Sequence, residues 1–281
     1  MKWFRFGPEG HERVGALDAS GQLRDLSADV PDLHLPTLGL DGLKRLSKLK
    51  PEAYPLVRGQ PRLGVPYTGI SKFVAIGLNY ADHAAEAGLP LPKEPIVFLK
   101  ATTCITGPND PVLLPPSSVK TDWEVELGVV IGRTARHVAE SEALSHVAGY
   151  CVVNDVSERE YQIERGGTWD KGKGCDTFGP IGPWLVTADD VPDPQALDMW
   201  LDVNGVRRQS GSTATMIFGV AQIVSYVSRF MTLLPGDILC TGTPPGVGMG
   251  MKPPQFLQEG DVMTLGIAGL GEQRQVVVTS L

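Results

Sequence analysis

Three carboxylates at alternate positions, Asp122, Glu124 and Glu126 in the segment TDWEVELGVVIG (121–132), are the residues of this chain whose spacing points most directly to chemistry. The segment alternates as a β-strand does, so the acids share one face while Trp123, Val125 and Leu127 share the other. Three like charges on one face repel each other unless water or a cation screens them. Hard divalent ions prefer carboxylate oxygens, and a strand holds two Glu side chains on the same side within reach of one ion. An edge strand with one solvated face is the ordinary alternative for an isolated E-x-E.

A second segment, AGYCVVNDVSER (148–159), is an apolar run that ends abruptly in polar residues. It reads as a buried strand that delivers Asp155 to the edge of a cavity. A third carboxylate there would complete an oxygen ligand set with positions left for water and substrate, as Lewis-acid catalysis requires. Arg159 and Gln162 follow four and seven residues after Asp155, a spacing that stacks them on one side if the chain turns helical from Val156. Arg grips a planar carboxylate at two points, although by itself Arg159 reads as a surface ion-pairing residue.

In IGLNYADHAAEAG (76–88), His83 and Glu86 are three apart and can touch in a helix that starts near Asp82. A carboxylate that orients an imidazole makes a general base for water near neutral pH; an exposed helix with incidental polar residues is the plainer reading. Gly88 and the following Leu89-Pro90-Leu91-Pro92 predict a short helix suited to a lid. The loop GGTWDKGKGCDT (166–177) puts Lys173 between glycines that let the backbone approach a small ligand, with Lys171 as its solvent-facing neighbour; a surface loop is the alternative. In Thr241-Gly242-Thr243-Pro244-Pro245-Gly246-Val247, hydroxyls and backbone N–H groups gather where a strand stops, as donors for a carboxylate or oxyanion or as a plain turn.

The elements that must position these groups are predominantly strands. Residues 1–67 give short strands at Trp3–Phe6 and Arg13–Asp18, a turn at Ser20-Gly21 and a helix over Leu40–Leu49, after which Pro51, Pro55, Pro61 and Pro66 predict a linker. From Ser71 onward the pattern is strand-rich, with turns at Gly107–Asp110 and Leu234–Asp237 and a hairpin at Asn204-Gly205. One helix is expected over Gly219–Thr232, with Val220, Ile223, Val224, Val227 and Met231 on its apolar face, packed on the sheet.

Together these motifs resemble the fumarylacetoacetate hydrolase family, in family order from about Ser71 to the C-terminus. The resemblance implies a strand-rich α+β fold, a roll of mixed β-sheets over residues 71–281 with a small N-terminal α+β domain at 1–67, in a homodimer. It implies Mg²⁺ or Mn²⁺ held by Glu124, Glu126 and Asp155, a water-activating dyad of His83 and Glu86, and Lys173 as the carbonyl-stabilising cation. Arg159, Gln162 and Thr243 are the expected substrate contacts, and Asp122 stands behind the ligands or in solvent. The implied reaction cleaves a C–C bond in a 2-oxo or 2,4-dioxo acid to pyruvate and a second acid, with closest likeness to hydrolases of 2,4-dioxo-3-deoxy sugar acids and to sequences labelled ureidoglycolate lyase. An oxaloacetate decarboxylase or lyase would use the same groups, and a ligand-binding member without catalysis is the non-enzymatic alternative.

Composition bounds the partners. Lys and Arg number 25 against 32 Asp and Glu, a net charge of −7 that disfavours a nucleic-acid role. No stretch approaches the roughly 20 apolar residues of a membrane span, and the N-terminus lacks a signal-peptide pattern, so a cytoplasmic location is expected. Cys104, Cys151, Cys175 and Cys240 are scattered without metal spacing, which predicts reduced thiols, with Cys151 and Cys240 in the core and no local base to activate Cys175.

Overall fold

A computed structural model describes residues 1–86, 88 and 90–279, with the backbone alone for 83–85. The first segment forms strands β1 (Lys2–Phe6), β2 (Arg13–Leu17) and β3 (Leu23–Asp25), helix α1 (Leu35–Leu46) and strand β4 (Leu63–Gly64). The helix begins five residues before its predicted start, and Gly39 (φ 55°) kinks it. The proline-rich stretch is not a free tether: Val57 N–H donates to Leu23 O, and β4 pairs with β1.

The rest of the chain supplies β5 (Phe73–Gly77), α2 (Ala81–Glu86), β6 (Ile96–Lys100), β7 (Ile105–Thr106), β8 (Val112–Leu114), β9 (Thr121–Asp122) and β10 (Val125–Ile131). Helix α3 (Glu140–Ala143), β11 (Val147–Asn154), β12 (Ser157–Glu158), α4 (Asp170–Lys173) and β13 (Gly179–Thr187) follow. The hairpin β14 (Asp198–Val203) and β15 (Val206–Ser212), helix α5 (Val220–Val227), and β16 (Ile238–Cys240), β17 (Val262–Ile267) and β18 (Gly271–Thr279) complete it. Asn204 and Gly205 both have positive φ, 53° and 74°, the left-handed pair that a two-residue hairpin of this twist requires.

The fold is the strand-rich α+β class expected. One mixed sheet runs β3-β2-β1-β13-β11-β10-β16-β5-β6, and a second runs β15-β14-β17-β18-β8. Because β1 pairs with β13, the first sheet passes continuously from the N-terminal segment into the rest. Strands β14, β17 and β18 lie against β10, β11 and β13, so β10 and β11 are buried along their whole length. That excludes the solvated edge strand for E-x-E: β10 sits between β11 and β16 in the middle of its sheet. Residues Val125, Leu127, Val129, Val152 and Val153 are wholly buried there, each worth roughly 1.5–3 kcal/mol of transfer free energy, which is what holds charged neighbours in an otherwise apolar layer. Helix α5 is shorter than predicted, ending at Val227, and packs against α3.

Candidate active site

Backbone pairing explains how the acids meet. Strands β10 and β11 are antiparallel with Val125 opposite Asn154, and just past the pair the Asp155 N–H donates to Glu124 O at 2.9 Å. The next short pair, β9 with β12, sets Ser157 opposite Asp122 and so brings Arg159 back over the acidic segment. Helix α4 ends at Lys173, and β6 ends at Lys100, pointing two ammonium groups into the same region.

The result is a cavity of about 130 Å³ lined by Glu124, Glu126, Asp155, Arg159, Gln162, Lys173 and Thr243, with Gly77, Leu78, Phe98, Trp169 and Met249 among its other walls. Six of the residues expected at the site besides the three acids were named from sequence; four of them, Arg159, Gln162, Lys173 and Thr243, line this cavity. The other two are the dyad. His83 lies in α2, but its side chain falls outside the described residues. Glu86 sits at the end of the same helix, where its carboxylate accepts the Gly246 N–H at 3.2 Å and so ties α2 to the Thr241–Val247 turn. Residues 87 and 89, in the segment read as a lid, also fall outside the described residues.

The charged groups are extensively paired. Lys173 Nζ donates to Glu124 Oε2 at 2.6 Å and Asp155 Oδ2 at 2.7 Å, and Lys100 Nζ donates to Asp155 Oδ1 at 2.5 Å. Arg159 donates from Nη2 to Glu124 Oε1 at 2.6 Å, from Nε to Asp122 Oδ2 at 2.9 Å, and from Nη1 to Gln162 Oε1 at 3.0 Å. The chain does not turn helical at Val156 as the spacing suggested; β12 intervenes and a π-helical turn spans Glu160–Glu164, yet Arg159 and Gln162 still converge. Asp122 is wholly buried, accepting N–H groups of Gly248 and Met249 besides Arg159, and its place is behind that guanidinium. Thr243 Oγ1 donates to Val125 O and accepts from Gln209 Nε2.

Glu126 stands apart, accepting the neutral Gly242 N–H at 2.8 Å. Burial, with the charges of Asp155 and Glu124 adding to it, pushes its carboxyl well above the usual range, so it holds a proton. Burial acts the same way on Glu124, but Arg159 and Lys173 more than offset it and hold that carboxyl down at about 2. Lys173 is raised despite its burial because Asp155 and Glu124 favour its charged form.

The donor set fits a hard divalent ion. Oxygen atoms of Glu126 and Asp155, together with Cys240 Sγ, lie within 4.8 Å of one another; Glu124 is not in that cluster, its oxygens being held by Lys173, which it shares with Asp155, and by Arg159. Cys240 is as buried as expected, and burial pushes its thiol well above the ordinary value, leaving it protonated beneath the acids. Cys175 is not an activated nucleophile: burial pushes its thiol up to about 11, and it donates to Lys171 O. Lys171 itself is exposed as expected.

Sequence reasoning missed Lys100 and Asn79. Lys100 carries the signal that marked Asp155, a charge closing an apolar strand. Asn79 is wholly buried and exchanges hydrogen bonds with Phe218, while its Nδ2 donates to Thr241 O at 2.8 Å, which fixes the start of α2 against the turn. No local pattern marks it.

The strand-rich fold thus encloses an acid-floored cavity capped by Lys173, an arrangement of the kind that can seat a divalent ion. The family model for the fumarylacetoacetate hydrolase C-terminal region matches residues 72–278, and the chain belongs to that family. A Burkholderia ambifaria protein named as a hydrolase, with no substrate in its name, is 64% identical over 98% of both chains. Among solved structures, a fumarylacetoacetate hydrolase from Exiguobacterium antarcticum is 38% identical with a TM-score of 0.89 over the whole of both chains. A maleylpyruvate hydrolase from Sphingobium sp. SYK-6, solved with manganese(II) and pyruvate, is 31% identical with a TM-score of 0.82, again over both full chains.

Proposed function

We propose that this protein is a divalent-metal-dependent hydrolase that cleaves the C–C bond of an acylpyruvate, a 2,4-dioxo acid, to pyruvate and a second acid. The observation that carries the reading is the convergence of Glu124, Glu126 and Asp155 with Lys173 in one small cavity. The manganese and pyruvate in the similar maleylpyruvate hydrolase support the ion and the product.

Glu124, Glu126 and Asp155 would hold Mg²⁺ or Mn²⁺, which when bound supplies Lewis-acid polarisation of the oxo acid's oxygens. Arg159, with Gln162 beside it, positions the substrate carboxylate, and the Gly242–Thr243 backbone forms the opposite wall. Glu86 orients His83, which takes a proton from water as that water attacks the 4-carbonyl. The ammonium of Lys173 donates hydrogen bonds to the oxyanion that develops there. The bond between C3 and C4 then breaks, releasing the acid from C4 and leaving C3 to take up a proton and become the methyl group of pyruvate. Water in and two acids out balances the reaction. The apolar walls favour an acylpyruvate over the polyhydroxylated chain of a 2,4-dioxo-3-deoxy sugar acid. A cytoplasmic homodimer belongs to the same proposal; among the described residues no helix is long and apolar enough to cross a membrane.

The test is a screen of the purified protein with Mg²⁺ or Mn²⁺ against acylpyruvates, a 2,4-dioxo-3-deoxy sugar acid, oxaloacetate and ureidoglycolate, with pyruvate release as the readout for the first three and glyoxylate release for the last. Metal-dependent release from acylpyruvates is expected. Turnover of oxaloacetate alone would make the enzyme a decarboxylase, and turnover of none would leave a binding protein.

A further inference from the structure

Beside its acids the cavity has an apolar lining that the reaction itself does not require. Leu78, Phe98, Ile163, Trp169 and Met249 line it. Phe98 and Trp169 meet edge to face with centroids 5.3 Å apart. The indole lies against β5 because position 77 is glycine: a Cβ there would come within 2.3 Å of Trp169 Cζ3. Ile163 is 51% exposed and Met249 38% exposed, so these two apolar side chains of the lining face solvent at the mouth.

The two cations of the lining, Arg159 and Lys173, are held at the acids, where the oxo-acid end of the substrate is placed. Arg159 pairs with Asp122 and Glu124, and Lys173 with Glu124 and Asp155. A second carboxylate seated on Leu78, Ile163, Trp169 and Met249 would lose its hydration to apolar side chains without gaining a charged partner from them. A saturated or aromatic tail loses nothing by entering.

Resting on the hydrolase reading above, we infer that the substrate is a monocarboxylic acylpyruvate whose acyl group is an unbranched alkyl or aryl tail seated on Trp169, Phe98 and Ile163, rather than a dicarboxylate or a polyol.

The test uses 2-oxo acids that lack a cleavable 1,3-dicarbonyl, so it does not depend on turnover. Calorimetric titration of the Mn²⁺-loaded full chain compares pyruvate, 2-oxohexanoate and 2-oxoadipate. Affinity is expected to rise by about fourfold for each methylene that the walls bury, while 2-oxoadipate binds no better than pyruvate. Trp169→Ala should remove most of the gain for 2-oxohexanoate. Ile163→Lys, at an exposed position where the fold is not at stake, should turn the preference towards 2-oxoadipate. Parent protein that binds 2-oxoadipate as tightly as 2-oxohexanoate overturns the inference, as does an alkyl gain that survives Trp169→Ala in a folded variant. If the hydrolase reading fails instead, no acylpyruvate yields pyruvate while the alkyl preference in binding persists.

Discussion

Metal binding should release one proton, and that proton should come from Glu126. Around the cavity four carboxylates, Asp122, Glu124, Glu126 and Asp155, face three cations, Lys100, Arg159 and Lys173, which leaves one acid over. The ion pairs show which: each of the other three acids touches at least one cation, whereas Glu126 accepts a backbone N–H. Its carboxyl is pushed well above the usual range by burial and by Asp155 and Glu124, which favours its neutral form in the metal-free protein. A cation ligand must be ionised, so below that raised value the apparent dissociation constant should worsen about tenfold per pH unit, 1.36 kcal/mol each. The affinity for Mn²⁺ should therefore be weaker at pH 6 than at pH 8. The stability of the metal-free protein runs the other way. The native state holds a proton that the unfolded chain has lost, so this contribution is full below the unfolded carboxyl's ordinary value and fades as pH rises through the raised one. Titration calorimetry in buffers of differing ionisation enthalpy counts the protons directly, and Glu126→Gln should abolish both the release and most of the binding. A dissociation constant equal at the two pH values would refute the reasoning. So would a release that persists in Glu126→Gln, which would put the proton on another group, with Cys240 the nearest.

Four further outcomes are expected. His83→Ala should lower kcat by roughly 10²–10⁴ while Mn²⁺ affinity measured by titration stays near the parent value, and Glu86→Gln should impair the same step less. Lys173→Met should lower kcat and kcat/KM together, because its proposed contact to the oxyanion exists only in the transition state; a raised KM with kcat kept would reassign it to substrate binding. Arg159→Met leaves Asp122 and Glu124 without their guanidinium, and chemical denaturation should show a loss of about 3–5 kcal/mol; an unchanged midpoint would mean that water replaces the pair. Gly246→Ala meets both a φ of +104° and a Cβ within 1.9 Å of Arg208 O, so it should cost at least ~1–3 kcal/mol in the same assay and disturb the anchor of Glu86, visible as a lower kcat.

The sequence by itself determined the local vocabulary of this protein. The alternation through β10, the apolar run of β11, the Asn204-Gly205 hairpin and the charged residues placed at strand ends are all read over a few neighbouring positions, because side-chain period and turn sterics are local properties. The same local order carried the family resemblance, and with it the expected fold and the named acids. What lay beyond local reach were the partners. That β10 is a central strand and not an edge follows from where β16 and β11 pair, more than 100 and about 20 residues away in sequence, and only then does E-x-E become a buried charge that demands compensation. Sequence leaves Asp122 either behind the ligands or in solvent; the tertiary structure decides it, turning it to Arg159 and to the Gly248 and Met249 amides, because β9 breaks from β10 at Trp123. Lys100 and Asn79 reach the site from strands and loops whose own sequences say nothing of carboxylates. Pairing between distant segments is set by the summed burial of two sheets and not by any one residue's preference, so it is there that the ion pairs, and the one acid left over, were decided.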